Sequence, residues 1–172
     1  MKSKLVGFVI LSVLAGCAAM GPAGETATAQ LMPRSGSQTE GSVSFRQQGD
    51  KVVVTVNVSG LKPNAEHGFH VHEKGDCGAP DGTSAGGHFN PSGKQHGNFA
   101  AAEHHAGDMP SLKANADGRA SATFELSGPT VTAGPASVVG RGVIVHRDPD
   151  DFTTQPTGNS GARIACGVIV KS

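Results

Sequence analysis

The chain predicts an all-β domain, a sandwich or barrel of short antiparallel strands, on three observations. Lys51 to Ser59 alternates apolar and polar residues with a period of two. Sustained helical periodicity is missing, and glycine, proline, asparagine and aspartate break the chain into short pieces, with 25 glycines and 10 prolines in 172 residues. That length, with no tryptophan or tyrosine, fits one modest, turn-rich domain.

The first element is an address. Met1 to Lys4 carries two lysines, Leu5 to Leu14 is apolar apart from Ser12, and Leu14-Ala15-Gly16-Cys17 closes the segment. This is the layout of a signal peptide over residues 1–16, and its apolar run is too short for a stable membrane span. Leu-Ala-Gly-Cys also resembles the lipobox of bacterial lipoproteins. That resemblance implies lipid on the Cys17 sulfur and a cell-envelope lipoprotein, periplasmic or anchored to the outer membrane. Residues 17–25 are expected to be a lipid-attachment site and flexible tether, and 26–172 the folded domain. The membrane would be met only through the lipid. Loss of Lys2 and Lys4 leaves twelve basic against fourteen acidic residues, which disfavours nucleic acid as a partner.

With Cys17 assigned to lipid, Cys77 and Cys166 remain as an even pair, and in an oxidising compartment a disulfide is the default expectation. Closing so long a loop stabilises by roughly 4–5 kcal/mol in the chain-entropy account.

Within the body, Lys51–Ser59 places Val52, Val54, Val56 and Val58 on one face and Val53, Thr55 and Asn57 on the other. Shorter strands are expected over 68–73, 120–126, 142–146 and 164–170, with turns at Gly49-Asp50, Lys62-Pro63-Asn64, Asp117-Gly118 and Gly128-Pro129. Two connections, 75–111 and 147–163, are too long for turns. Long loops in a compact domain are usually functional.

The chemistry-bearing residues gather in and beside those loops. His70 and His72 flank Val71, and in a strand i and i+2 share a face, so both rings can reach one ion while Val71 points to a core. His88, His96 and His105 follow at spacings of eight and nine, with Asp108 three further on and His146 near the second loop. All-nitrogen donor sets favour Cu(II), whereas three imidazoles and one carboxylate suit Zn(II). A glycine-rich loop can wrap donors around an ion, which couples metal binding to folding. His67 is expected to make structural hydrogen bonds and His104 to lie in solvent. His146-Arg147-Asp148 matches the kinase catalytic tripeptide, but no phosphate-binding glycine loop accompanies it, so that reading is discarded.

Several segments together resemble the copper/zinc superoxide dismutases. They are Gly68-Phe69-His70-Val71-His72, Gly86-Gly87-His88-Phe89-Asn90-Pro91, His96-Gly97, His105-Ala106-Gly107-Asp108, Arg141 to His146 and Gly158 to Gly167, in the family's order. The resemblance implies a Greek-key barrel of about eight strands carrying one copper and one zinc per subunit. His70, His72, His88 and His146 match the copper ligands, and His88, His96, His105 and Asp108 the zinc ligands, with His88 bridging. Asp150 matches the carboxylate that orients ligand histidines, and Arg163 the arginine beside the copper. The implied activity is disproportionation of superoxide to dioxygen and hydrogen peroxide, in a monomer or homodimer. The loop from Arg147 to Arg163 carries no lysine, so Lys74 and Lys94 are the expected source of electrostatic guidance. The rival readings are a non-catalytic copper-binding or chaperone lipoprotein on the same fold, and a dismutase that uses copper alone.

Overall fold

A computed structural model describes residues 24–172; the expected signal peptide and Cys17 lie outside the described residues. Ten strands follow one another: β1 (Thr26–Pro33), β2 (Glu40–Gln48), β3 (Lys51–Ser59), β4 (Glu66–His67), β5 (Phe69–His72), β6 (Leu112–Lys113), β7 (Ala120–Ser127), β8 (Gly142–His146), β9 (Arg163–Val168) and β10 (Val170–Lys171). Among the described residues the only helical element is a 3₁₀ turn at Thr83–Ala85. The predicted strands appear as β3, β5, β7, β8 and the β9–β10 pair.

All strand pairs are antiparallel, in the order β5-β8-β9-β1-β2-β3-β7, with β10 also on β1. β1 joins the two halves of this wall. Its residues Thr26–Leu31 pair with β2, while Met32 and Pro33 pair with Cys166 and Ala165 of β9. β1, β2 and β3 form a meander, whereas β3–β7, β5–β8 and β9–β1 are neighbours distant in sequence, which is the Greek-key pattern. The sheet curls over a core that includes Leu31, Phe45, Val54, Val56, Phe69 and Val71, all fully buried. Each such side chain contributes about 1.5–3 kcal/mol of hydrophobic burial.

Two alternating faces place the functional residues. In the β5–β8 ladder, Phe69 pairs with Val145 and Val71 with Val143, and all four enter the core. The intervening residues, His70 opposite Ile144 and His72 opposite Gly142, point to the other face, as the period of two requires. β8 also pairs with β9, and a register irregularity between Val145 and His146 sets His146 opposite Arg163 at the strand end. Bulges of this kind re-aim side chains at sheet rims.

The connections 73–111 and 147–162 cover that outer face. Cys77 and Cys166, 89 residues apart with Cα atoms 5.8 Å apart, form a disulfide that ties the first connection to β9. It packs on Ile144 and Ala85 in a small second cluster.

Candidate metal centre

The structure brings all seven candidate donors together in two groups that share His88. His70, His72, His88 and His146 offer four nitrogens within 4.8 Å of one another, and His88, His96, His105 and Asp108 offer three nitrogens and an oxygen within the same span. Every one of these residues is buried. His70 and His72 come from β5 and His146 from the end of β8. His88 reaches them because its backbone bridges to His72, just as Asp108 bridges to His70.

Hydrogen bonds on the far side of each ring decide which nitrogen faces inward. His70 Nε2 donates to Asp150 Oδ2 at 2.7 Å, His72 Nδ1 to the Gly86 carbonyl at 2.9 Å and His146 Nδ1 to the Gly161 carbonyl at 3.4 Å. A carbonyl oxygen only accepts, so the proton sits on Nδ1 of His72 and His146, and their Nε2 atoms carry lone pairs. Those two Nε2 atoms face each other at 3.3 Å. Neither can donate to the other, so the contact is repulsive unless a cation lies between. His70 Nδ1 and His88 Nε2 are likewise buried with no partner. Four unprotonated nitrogens converging in a buried site are the donor set of a metal ion.

The second group converges on one oxygen. Asp108 Oδ1 lies 2.9 Å from His88 Nδ1, 3.0 Å from His96 Nδ1 and 3.5 Å from His105 Nδ1. Its other oxygen is fixed by the backbone N–H groups of His105 at 2.8 Å and Gly97 at 3.2 Å. Asp150 links the groups, accepting from His70 on one side and from His96 Nε2 at 2.9 Å on the other. Gly158 allows that approach: its φ is +65°, and any side chain there would strike the Asp150 carboxylate and His96 Nε2.

Protonation differs between the groups. Burial, the largest effect, pushes His70 down and His72 and His146 well below the ordinary histidine range, with neighbouring cationic groups adding to it for the latter two. Burial also lowers His88, to about 4, against the pull of Asp108. His96 moves the other way: burial opposes its charge, but a carboxylate on each ring nitrogen raises it to about 9. Burial favours protonation of Asp108 and Asp150, yet hydrogen bonds from the surrounding histidines hold both far below the usual carboxylate range.

Arg163 stands beside the all-nitrogen group. It donates from Nη1 to Gly82 O at 2.8 Å and from Nη2 to Gly86 O at 2.6 Å. Gly86 O also accepts from His72, so one carbonyl aligns the arginine with a candidate ligand. The sequence gives no sign of this node, because a backbone acceptor has no side-chain signature. His67 Nδ1 donates to the His146 carbonyl at 2.9 Å, the structural role expected of it. His104 is half-buried rather than solvated, since its Nδ1 reaches the His105 carbonyl at 2.7 Å. Lys94 Nζ is bound to Ala102 O at 2.6 Å, and Lys74 Nζ lies 4.0 Å from Glu73.

An antiparallel Greek-key barrel with two adjoining, histidine-rich donor groups on its outer face defines a dinuclear metalloprotein. Residues 39–169 match the family model of copper/zinc superoxide dismutase (SODC), and the chain belongs to this family. It is 46% identical over 138 residues to copper-zinc superoxide dismutase 2 of Brassica juncea, covering 76% of this chain and 88% of the relative. It is 38% identical over 146 residues to the superoxide dismutase-like protein YojM of Bacillus subtilis (strain 168), covering 82% and 74%. The crystal structure of the clock protein EA4 superposes with a TM-score of 0.78 at 34% identity, covering 86% of this chain and 95% of that one. The two donor groups fit one copper and one zinc per subunit, as the family requires.

Proposed function

We propose that the protein is a superoxide dismutase, converting two superoxide anions and two protons to dioxygen and hydrogen peroxide. The supporting observation is the shared ring of His88, whose Nε2 belongs to the all-nitrogen group and whose Nδ1 faces Asp108 in the other. Copper is assigned to His70 Nδ1, His72 Nε2, His88 Nε2 and His146 Nε2, and zinc to Nδ1 of His88, His96 and His105 with Asp108 Oδ1. When bound, copper supplies a one-electron couple that takes an electron from one superoxide and returns it to a second, while zinc has no redox chemistry.

The chain's own residues do the rest. Arg163 keeps further N–H groups free after its two carbonyl bonds, and its fixed positive charge attracts and orients a small anion. His88 Nε2, buried and free of any protein partner, is the atom that takes up a proton when its lone pair is released and hands that proton to the reduced substrate. Its Nδ1 is kept in place from the Asp108 side, so the ring does not turn away. Asp150 orients His70 and His96 together, as carboxylates behind ligand imidazoles generally do.

Export belongs to the same proposal. The disulfide supports an oxidising compartment, and Cys17 is the proposed lipid anchor.

The test is the rate of superoxide decay with copper and zinc bound, against the same protein holding zinc alone. Fast, copper-dependent decay is expected. Decay no faster than in buffer, with copper firmly held, would instead make this a copper-binding protein on a dismutase scaffold, a reading to which the "-like" in the name of the Bacillus relative gives some weight.

A further inference from the structure

Arg163 depends on a loop that is itself held by a residue outside the site. Within residues 76–84 the loop is internally braced: Ser84 Oγ donates to Asp76 O at 2.9 Å, Ala79 N donates to Ser84 Oγ at 3.1 Å, and Thr83 N donates to Asp81 Oδ1 at 3.1 Å. A loop braced in this way shifts as a unit. At one end the Cys77 disulfide docks it, but a bond through the side chain does not fix the direction of the peptide carbonyls beyond it.

The corner after β1 supplies what the disulfide does not. Half-buried Arg34 donates from Nε and Nη2 to the Cys77 carbonyl, at 3.0 and 2.6 Å, and from Nη1 to Pro33 O at 2.6 Å. The backbone N–H of Ser35 donates to Pro80 O at 2.9 Å, and its hydroxyl donates to the carbonyl of Arg163 itself at 2.9 Å. The N–H of Arg34 binds the Ile164 carbonyl, also at 2.9 Å. One corner therefore grips both the loop and the strand that carries Arg163.

Gly82 lies between them. Its carbonyl anchors Arg163 Nη1, its φ is +72°, and a Cβ there would sit 3.3 Å from Arg163 Cβ and 3.8 Å from Arg34 Cγ. Resting on the reading of Arg163 as the substrate-attracting cation, we propose that Arg34 is a positioning residue that sets the guanidinium of Arg163 by locking residues 77–82 to the β1 corner.

The experiment uses the full chain loaded with copper and zinc and titrates azide, a small anion, following its absorption on binding copper. Arg34→Met is expected to weaken azide about tenfold, less than the roughly 100-fold that a misplacement of about 1 Å can cost, with copper and zinc content unchanged. Arg34→Lys should recover part of the loss. In an Arg163→Ala background, Arg34→Met should have no further effect, because it acts through Arg163. Unchanged azide affinity in Arg34→Met would overturn the proposal, and so would a further loss in the Arg163→Ala background. Should Arg34→Met fail to fold, Ser35→Ala decides: weakened azide supports the locked corner, unchanged azide overturns it. Azide binding needs no turnover, so absent dismutase activity would count against the proposed function while leaving this result standing.

Discussion

The two halves of the metal centre are built on different kinds of support. Three of the four all-nitrogen donors, His70, His72 and His146, sit on β5 and β8, whose opposite faces carry core residues such as Val71, Val143 and Val145. In the other half, His88, His96, His105 and Asp108 all belong to the long connection 73–111, which has one 3₁₀ turn and isolated backbone bridges. A strand holds its side chain whether or not a metal is present. A loop of this kind owes much of its order to the ion it surrounds, and there binding energy is folding energy. The arrangement thus sets a donor group held mostly by strands beside one that a bound metal would help to assemble.

The largest expected effect that tests this contrast is His146→Ala. Removing a strand-borne donor should abolish copper-dependent turnover while zinc uptake continues, as metal analysis of the purified variant would show. Zinc lost together with copper would mean that the halves are not separable. Next, Asp150→Ala should weaken zinc binding by roughly 10 to 100-fold, the usual scale for a partner behind a ligand. Copper affinity should fall less, since His70 is still held by its strand; competition with chelators measures both. Equal losses would remove the distinction between strand and loop support.

Arg163→Ala is expected to keep both metals and lower the second-order rate on the order of tenfold, because an orienting cation is lost and no ligand is. Loss of copper in this variant would contradict its assignment to substrate.

The last contrast is in pH. His96, raised to about 9 in the metal-free protein, is protonated at neutral pH and must release that proton to bind zinc. Zinc affinity should therefore climb as pH rises from 6 towards 9, by roughly tenfold per unit for one proton displaced. Burial lowers the strand-borne histidines instead, so they hold less of a proton to release over that range and copper affinity should vary less with pH. Calorimetry in buffers of different ionisation enthalpy counts the released protons.

The same contrast explains what could be read from the sequence. β3 is legible because four valines alternate into the core, and His70-Val71-His72 because a short motif carries both ligand and core positions. β1 and β2 are not legible from pattern. The inward residues of β1 are Ala27, Ala29 and Leu31, and those of β2 are Val43 and Phe45 amid serine, glycine and glutamine, residues with little preference for strands. Tertiary pairing on both sides makes them strands. The donors themselves are marked by residue type, so His88, His96, His105 and Asp108 can be picked out although their loop has no periodicity. Asp150, which aligns His70 and His96, is marked in the same way, but the backbone acceptors of the site are not. The carbonyls of Gly82, Gly86 and Gly161 and the fork of Arg34 act through backbone atoms or from far along the chain, and only folding brings them near.

Two different metals are expected in the two donor groups joined by His88. The most direct test is anomalous diffraction from crystals of the copper- and zinc-loaded protein, with data collected at both metal edges. Copper is expected among His70, His72, His88 and His146, zinc among His88, His96, His105 and Asp108, and His88 positioned to bind both. Zinc among the strand histidines, copper in the loop, or a single ion spanning both groups would contradict this assignment.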